Sequence, residues 1–135
     1  GPWGRPDMAL FKFSKNIIEG KSIDVYNYGK HERDFTYIDD IVQGTVAAID
    51  KAYPLKVFNL GNSNTVKLDY FISLIEKELG KKAKKNMLPM QPGDVEKTNA
   101  DITKARKLLG FEPKTNIDEG IKQFINWYKE YFSIN

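Results

Sequence analysis

Arginine is scarce in this sequence: only Arg5, Arg33 and Arg106 stand among 21 basic residues, the rest being lysine. A lysine-rich chain that keeps arginine at a few positions uses the planar guanidinium fork there, which matches phosphate and carboxylate groups. Codon bias is the competing explanation. Arg33 lies between Glu32 and Asp34, and Arg5 lies two residues before Asp7, so a surface ion pair is the alternative at each. Arg106, inside a helical stretch, reads as a plain surface residue. Other chemistries are closed off. With no cysteine and one histidine, His31, the chain cannot build a thiol nucleophile or a Cys-rich zinc site, and a His-based metal site or serine triad has too few residues. His31, in a turn beside Glu32, is expected to be exposed and uninvolved. The run Lys81-Lys82-Ala83-Lys84-Lys85 has no interleaved aromatic residue, so a solvated loop is expected there and not a nucleic-acid surface. The net charge of +3 agrees with that.

The elements that must position these side chains follow from apolar spacing. From Met8 to Glu19, Leu10, Phe13 and Ile17 recur at helical period, after Pro6-Asp7 and before Gly20. Ser22–Asn27 alternates Ile23 and Val25 with polar neighbours, and Arg33–Ile38 is β-branched and aromatic, so two short strands, as a possible hairpin, are expected. Asp39 or Asp40 is expected to cap a second helix, carrying Val42, Thr45, Val46 and Ile49 and ending before Tyr53-Pro54. Val57–Leu60 reads as an apolar strand, Leu68–Leu79 as a third helix closed by Gly80, and 81–99 as a loop. A fourth helix spans Asp101–Leu109 before Gly110, and a fifth starts at a capping box, Thr115-x-x-Asp118. Trp127, Tyr128 and Tyr131 on that last helix are expected to pack and not to stack bases.

The length of 135 residues, with 41% hydrophobic and 29% charged residues, suits one globular domain over 1–135. No apolar stretch approaches a membrane span and no signal peptide is visible, so a cytoplasmic protein is expected. The strands are too few and short for an ordinary sheet, and one of them is expected to belong to a sheet whose other members lie elsewhere. The chain opens on Gly1-Pro2 without an initiating Met, which reads as a protease-cleavage scar or as a start inside a longer protein.

Four segments in order carry a resemblance: Gly1-Pro2-Trp3-Gly4-Arg5-Pro6-Asp7-Met8-Ala9, Arg33-Asp34-Phe35-Thr36-Tyr37-Ile38-Asp39-Asp40, Phe58-Asn59-Leu60-Gly61 and Gln91-Pro92-Gly93-Asp94. Together they resemble the C-terminal half of an extended short-chain dehydrogenase/reductase of the nucleotide-sugar epimerase branch, most similar to UDP-glucuronate 4-epimerases. The resemblance runs through Trp127 and beyond. It implies an α/β fold: a helix-rich substrate-binding lobe with a few short strands, lacking the N-terminal Rossmann domain of the parent. That domain would bind NAD and carry the catalytic Tyr-x-x-x-Lys, so this chain alone is expected to bind no NAD and to hold no catalytic residue. Tyr26-Asn27-Tyr28-Gly29-Lys30 matches that spacing but spans a strand end and a glycine turn, where Tyr26 and Lys30 would not share a helix face.

In the family the C4 hydride passes to NAD, the keto sugar rotates and the hydride returns to its other face. The resemblance implies that this chain orients the UDP-sugar for that exchange. Arg33 corresponds to the arginine on the UDP diphosphate and Arg5 to the reader of the sugar carboxylate. Asp24 and Tyr26 match the segment bordering the uracil, and Asp94 the acid near the ribose; a packing role for Tyr26 and a plain turn for Pro-Gly-Asp are the alternatives. Many relatives place an arginine just before that Pro-Gly-Asp, where this chain has Met90-Gln91, which weakens a two-arginine phosphate clamp. The expected partners are a UDP-sugar, the Rossmann domain and a possible second copy, with no nucleic acid and no membrane. The competing readings are a lobe for another UDP-sugar epimerase, a dehydratase or a decarboxylase, and a free-standing small basic binding domain.

Overall fold

The computed structural model describes residues 1–134, in the order α1 (Ala9–Ile18), β1 (Ser22–Val25), a 3-10 turn (Tyr26–Gly29), β2 (Glu32–Asp34), α2 (Ile38–Lys51), β3 (Thr65–Lys67), α3 (Leu68–Leu79), β4 (Lys84–Met87), α4 (Thr103–Leu109) and α5 (Ile117–Tyr131). The fold is α/β and helix-rich. Its main core lies where α1, α3 and α5 meet β1, and buries Phe13, Ile17, Ile23, Val25, Phe71, Ile72, Ile75, Phe124 and Ile125. Ile23 and Val25 are the inward half of an alternating strand, and the helical residues are the apolar stripes that the sequence spacing marks. Phe35 stacks on Phe71 with ring centres 4.5 Å apart, which ties the exit of β2 to this core. Among the described residues no helix is long and apolar enough to cross a membrane.

The two expected strands of a hairpin do not pair. β1 runs parallel to β4, with Ser22 opposite Lys84 and Val25 opposite Met87, whereas β2 runs antiparallel to β3. The cause is the turn between β1 and β2. Asn27 and Tyr28 both adopt left-handed backbone, at φ 50° and 51°, and the Tyr28 N–H donates to the Leu88 carbonyl, so the chain leaves β1 toward β4's exit. Tyr26 therefore sits in this turn and not on the strand. The 81–99 segment, expected to be all loop, supplies β4.

Helix termini divide between expected and unexpected. Gly80 and Gly110 close α3 and α4 in left-handed backbone, at φ 65° and 70°. Asp40 is not the cap of α2. It is buried in the first turn, where its carboxylate accepts the N–H groups of Lys114 and Thr115 at 2.9 and 3.0 Å and so ties α2 to the approach to α5. The cap of α5 is Asn116, one residue after the expected Thr115, with its side chain accepting the Glu119 N–H at 2.9 Å.

A second, smaller core joins α2 and α4 through Ile102, Ala105, Leu109 and Phe111, with Phe58 and Leu60 packed against it. Gly44 permits this contact, because a Cβ there would stand 2.8 Å from both Leu60 Cδ2 and Phe111 Cδ2. Val57–Leu60 is in none of the strands, since no neighbouring strand pairs with it. Beside it the outward stripe of α2, Ile38, Val42, Val46 and Ile49, remains exposed, with Ile49 at 70% and Val57 at 80%. Among the described residues nothing covers these apolar side chains.

The carboxylate of Glu76, near the end of α3, is 8% exposed. Burial pushes its carboxyl up, but the Ala83 N–H at 2.9 Å and the Lys82 ammonium at 3.1 Å outweigh that and hold it below the usual glutamate range. A lowered folded-state value means the contribution is full above the unfolded value and is lost as pH falls through the folded one. Glu76→Gln is therefore expected to lower the melting temperature at neutral pH and to converge on wild type as pH falls through the lowered folded-state value. Melting curves against pH check this, and two parallel pH profiles would contradict it.

Candidate nucleotide-sugar site

A cavity of about 360 Å³ opens between the start of α1, the end of β1, β2, the start of α3 and the segment 94–98. Asp24, Tyr26, Arg33 and Asp94 all line it, with Met8, Phe13 and Leu68 forming an apolar wall. Four of the five residues singled out from sequence thus meet around one space, although Arg33 and Asp94 lie 61 positions apart. A larger depression of about 430 Å³ shares Asp34 and Thr98 with it and contains none of those five. Its one charged group, Asp34, already has both oxygens engaged by the N–H groups of Asn62, Ser63 and Ala100, each at 3.0 Å. Asp34 is thus a pin that joins β2 to two loops.

Arg33 is held by its own strand and by the loop opposite. Nη1 donates to the carbonyls of Glu32 and Glu96, both at 3.0 Å, and Nη2 donates to Asp94 Oδ1 at 3.1 Å. Of the five N–H groups of a guanidinium, these bonds use three. Among the described residues the other two, on Nε and Nη2, have no protein acceptor, and the side chain is 28% exposed. Arg33 pairs with neither flanking acid: Asp34 is the pin just described, and Glu32 binds Lys97 and the Thr65 hydroxyl.

The segment 94–98 reaches β2 through main-chain bonds: the Glu32 N–H donates to the Glu96 carbonyl and the Thr98 N–H to the Glu32 carbonyl. This contact buries His31, which is 4% exposed and not the surface residue expected from sequence. Its Nδ1 lies 3.1 Å from the Val95 carbonyl oxygen. Its Nε2 lies 3.1 Å from Asp94 Oδ2, close enough for an ion pair but too oblique to count as a hydrogen bond. The sequence offers no local signal for this burial, because the covering residues are 63 to 65 positions away.

Asp24 accepts a bond from Asn86 of β4 at 3.0 Å, and Tyr26 is half-buried at the cavity edge. Tyr26 and Lys30 flank left-handed Asn27 and Tyr28, so they share no helix face. Arg5 stands apart. It is exposed, absent from the cavity lining, and doubly bonded to Asp7, with Nε to Oδ1 at 3.1 Å and Nη2 to Oδ2 at 2.6 Å. That bond is the main reason the Asp7 carboxyl sits below its usual range.

For the dinucleotide that the resemblance attributes to the parent, the residues present do not fit. Among the described residues none of the five helices begins after a glycine-rich strand-to-helix turn: the residues before them are Met8, Tyr37, Lys67, Ile102 and Asn116.

The family model for GDP-mannose 4,6 dehydratase matches residues 6–124. An uncharacterized protein of Methanocaldococcus jannaschii is 62% identical over 130 residues, covering 96% of this chain and 40% of its own length. UDP-glucuronate 4-epimerase 4 of Arabidopsis thaliana is 45% identical over 150 residues, covering 98% of this chain and 34% of its own. The crystal structure of UDP-glucuronic acid 4-epimerase from Bacillus cereus, in complex with UDP-glucuronic acid and NAD, superposes with a TM-score of 0.90 at 38% identity, over 97% of this chain and 42% of that one. The chain therefore spans about 40% of the length of such relatives.

Proposed function

The chain belongs to the GDP-mannose 4,6-dehydratase family of extended short-chain dehydrogenase/reductases, and on that premise we propose that it is the substrate-binding lobe of a NAD-dependent nucleotide-sugar 4-epimerase, with UDP-glucuronate as substrate. The observation that carries this reading is the meeting of Asp24, Tyr26, Arg33 and Asp94 around one cavity, with two Arg33 N–H groups left for an incoming anion. At about 360 Å³ the space is within the usual range for small-molecule sites, roughly 300–1,000 Å³. Similarity to a Bacillus cereus enzyme solved with UDP-glucuronic acid supports the choice of ligand.

The work of this lobe is binding and orientation. Arg33 grips the diphosphate through the free edge of its fork, where charge-assisted bonds are strongest. Asp94 fixes that fork from behind and faces the ribose. Tyr26 and the backbone at Asp24 border the uracil, with the Met8–Phe13 wall beneath it. Arg5 reads the glucuronate carboxylate after releasing Asp7. These contacts hold the sugar in one place for chemistry performed by residues outside the lobe, which is an entropic contribution and not an acid, base or hydride. The exposed face of α2 and the unpaired Val57–Leu60 segment are where the Rossmann domain docks. Without that domain the same face favours pairing with a second copy.

Thermal unfolding with added nucleotide tests the reading. UDP is expected to raise the melting temperature progressively, by the equivalent of about 2.7 kcal/mol at a hundredfold excess over its dissociation constant, while NAD alone leaves it unchanged. A protein stabilised by NAD and indifferent to millimolar UDP would sink the proposal.

A further inference from the structure

We infer that His31 is a positioning residue of this site, acting through Asp94 to keep the Arg33 fork aimed into the cavity. The inference rests on the cavity being the UDP site, which His31 also lines. A carbonyl oxygen can only accept, so the His31 ring carries a proton on Nδ1 and donates it to Val95 at 3.1 Å. That bond sets the ring's orientation and leaves Nε2 directed at Asp94 Oδ2, 3.1 Å away. Nε2 is fully enclosed and has no aligned partner, an unusual state for a buried ring nitrogen. A carboxylate oxygen too can only accept, so the hold on Asp94 belongs to the ring that carries protons on both nitrogens, whose Nε2–H a small turn of the carboxylate aligns.

The division of labour on Asp94 explains what this tether does. Oδ1 already accepts from Arg33 Nη2 at 3.1 Å and from the Val95 N–H at 2.9 Å, whereas among the described residues Oδ2 meets only His31. When a diphosphate draws on the Arg33 fork, the hold of Asp94 on Arg33 weakens. A carboxylate held at one oxygen would then swing. A second hold at Oδ2 keeps it in place, and with it the guanidinium edge that faces the anion.

Two substitutions separate the two ring nitrogens. Asparagine puts its amide near the position of Nδ1, keeping the bond to Val95 and losing reach to Asp94; glutamine puts its amide near the position of Nε2. His31→Asn is expected to raise the dissociation constant of UDP, measured by calorimetry, about fivefold, as the loss of one modest hydrogen bond would. His31→Gln is expected to stay within about twofold of wild type, and His31→Asn is expected to add nothing in an Asp94→Asn background. Melting temperatures taken alongside separate this from plain destabilisation. Should His31→Asn not fold, nitrogen NMR of the wild-type ring, unambiguous because His31 is the sequence's single histidine, is expected to show an Nε2 shift on Asp94→Asn and again on adding UDP. UDP binding left intact by His31→Asn, or an Nε2 signal indifferent to Asp94→Asn, overturns the inference alone. Wild-type protein that does not bind UDP overturns it together with the site.

Discussion

Replacing Arg33 with alanine is expected to raise the dissociation constant of UDP on the order of ten- to a hundredfold, because a hydrogen bond to a charged group contributes about 1.5–3 kcal/mol. UDP-sugars are expected to weaken by the same factor as UDP, since the diphosphate is common to them. Part of the loss is indirect. Arg33 also bonds the Glu96 carbonyl and Asp94, so its removal loosens the segment that closes the cavity. Arg33→Lys divides the two effects: it retains a charge but not a fork that can reach two carbonyls, Asp94 and an anion together. It is expected to fall between wild type and alanine, with a steeper dependence on salt. Calorimetry with UDP in the three proteins reads this out. Unchanged UDP affinity in Arg33→Ala would mean that Arg33 serves only to pin the 94–98 segment to β2.

What could be read in the sequence was whatever a short stretch decides for itself. The stripe Leu68, Phe71, Ile72, Ile75 and Leu79 defines α3 without help, and the glycine after it has the left-handed backbone that ends a helix. What could not be read depends on partners far along the chain. Lys84–Met87 has four exposed positions and no alternation, and becomes a strand only because β1 lies beside it. Val57–Leu60 is the reverse, a sequence with strand character whose backbone finds no ladder partner. The same distinction governs the site. Arg33 and Asp94 were recognisable as residue types in their motifs, but that each is the other's ion-pair partner is a tertiary fact. His31 is buried against its local sequence for the same reason: its neighbour Glu32 has surface character, and the loop that covers it is remote.

On the proposed function, Arg5 is the residue expected to set sugar specificity. In the free protein its fork grips both oxygens of Asp7, so the guanidinium already holds a carboxylate in the two-point geometry that a glucuronate would need. Asp7 is in that sense a resident competitor, and both residues are exposed, so exchanging partners costs little stability. In the full-length enzyme Arg5→Ala is therefore expected to weaken UDP-glucuronate far more than UDP or UDP-glucose, because only the first presents a carboxylate. The ratio of kcat/KM for UDP-glucuronate to that for UDP-glucose should drop on the order of tenfold or more. Arg5→Lys, which keeps charge without two-point geometry, should lie between wild type and alanine. Asp7→Asn carries the opposite sign: with the competitor neutralised, UDP-glucuronate should bind more tightly while UDP-glucose is unaffected. A ratio that stays constant in Arg5→Ala while both substrates weaken equally would show that Arg5 and Asp7 only brace the entry to α1, and the glucuronate half of the proposed function would fall with it.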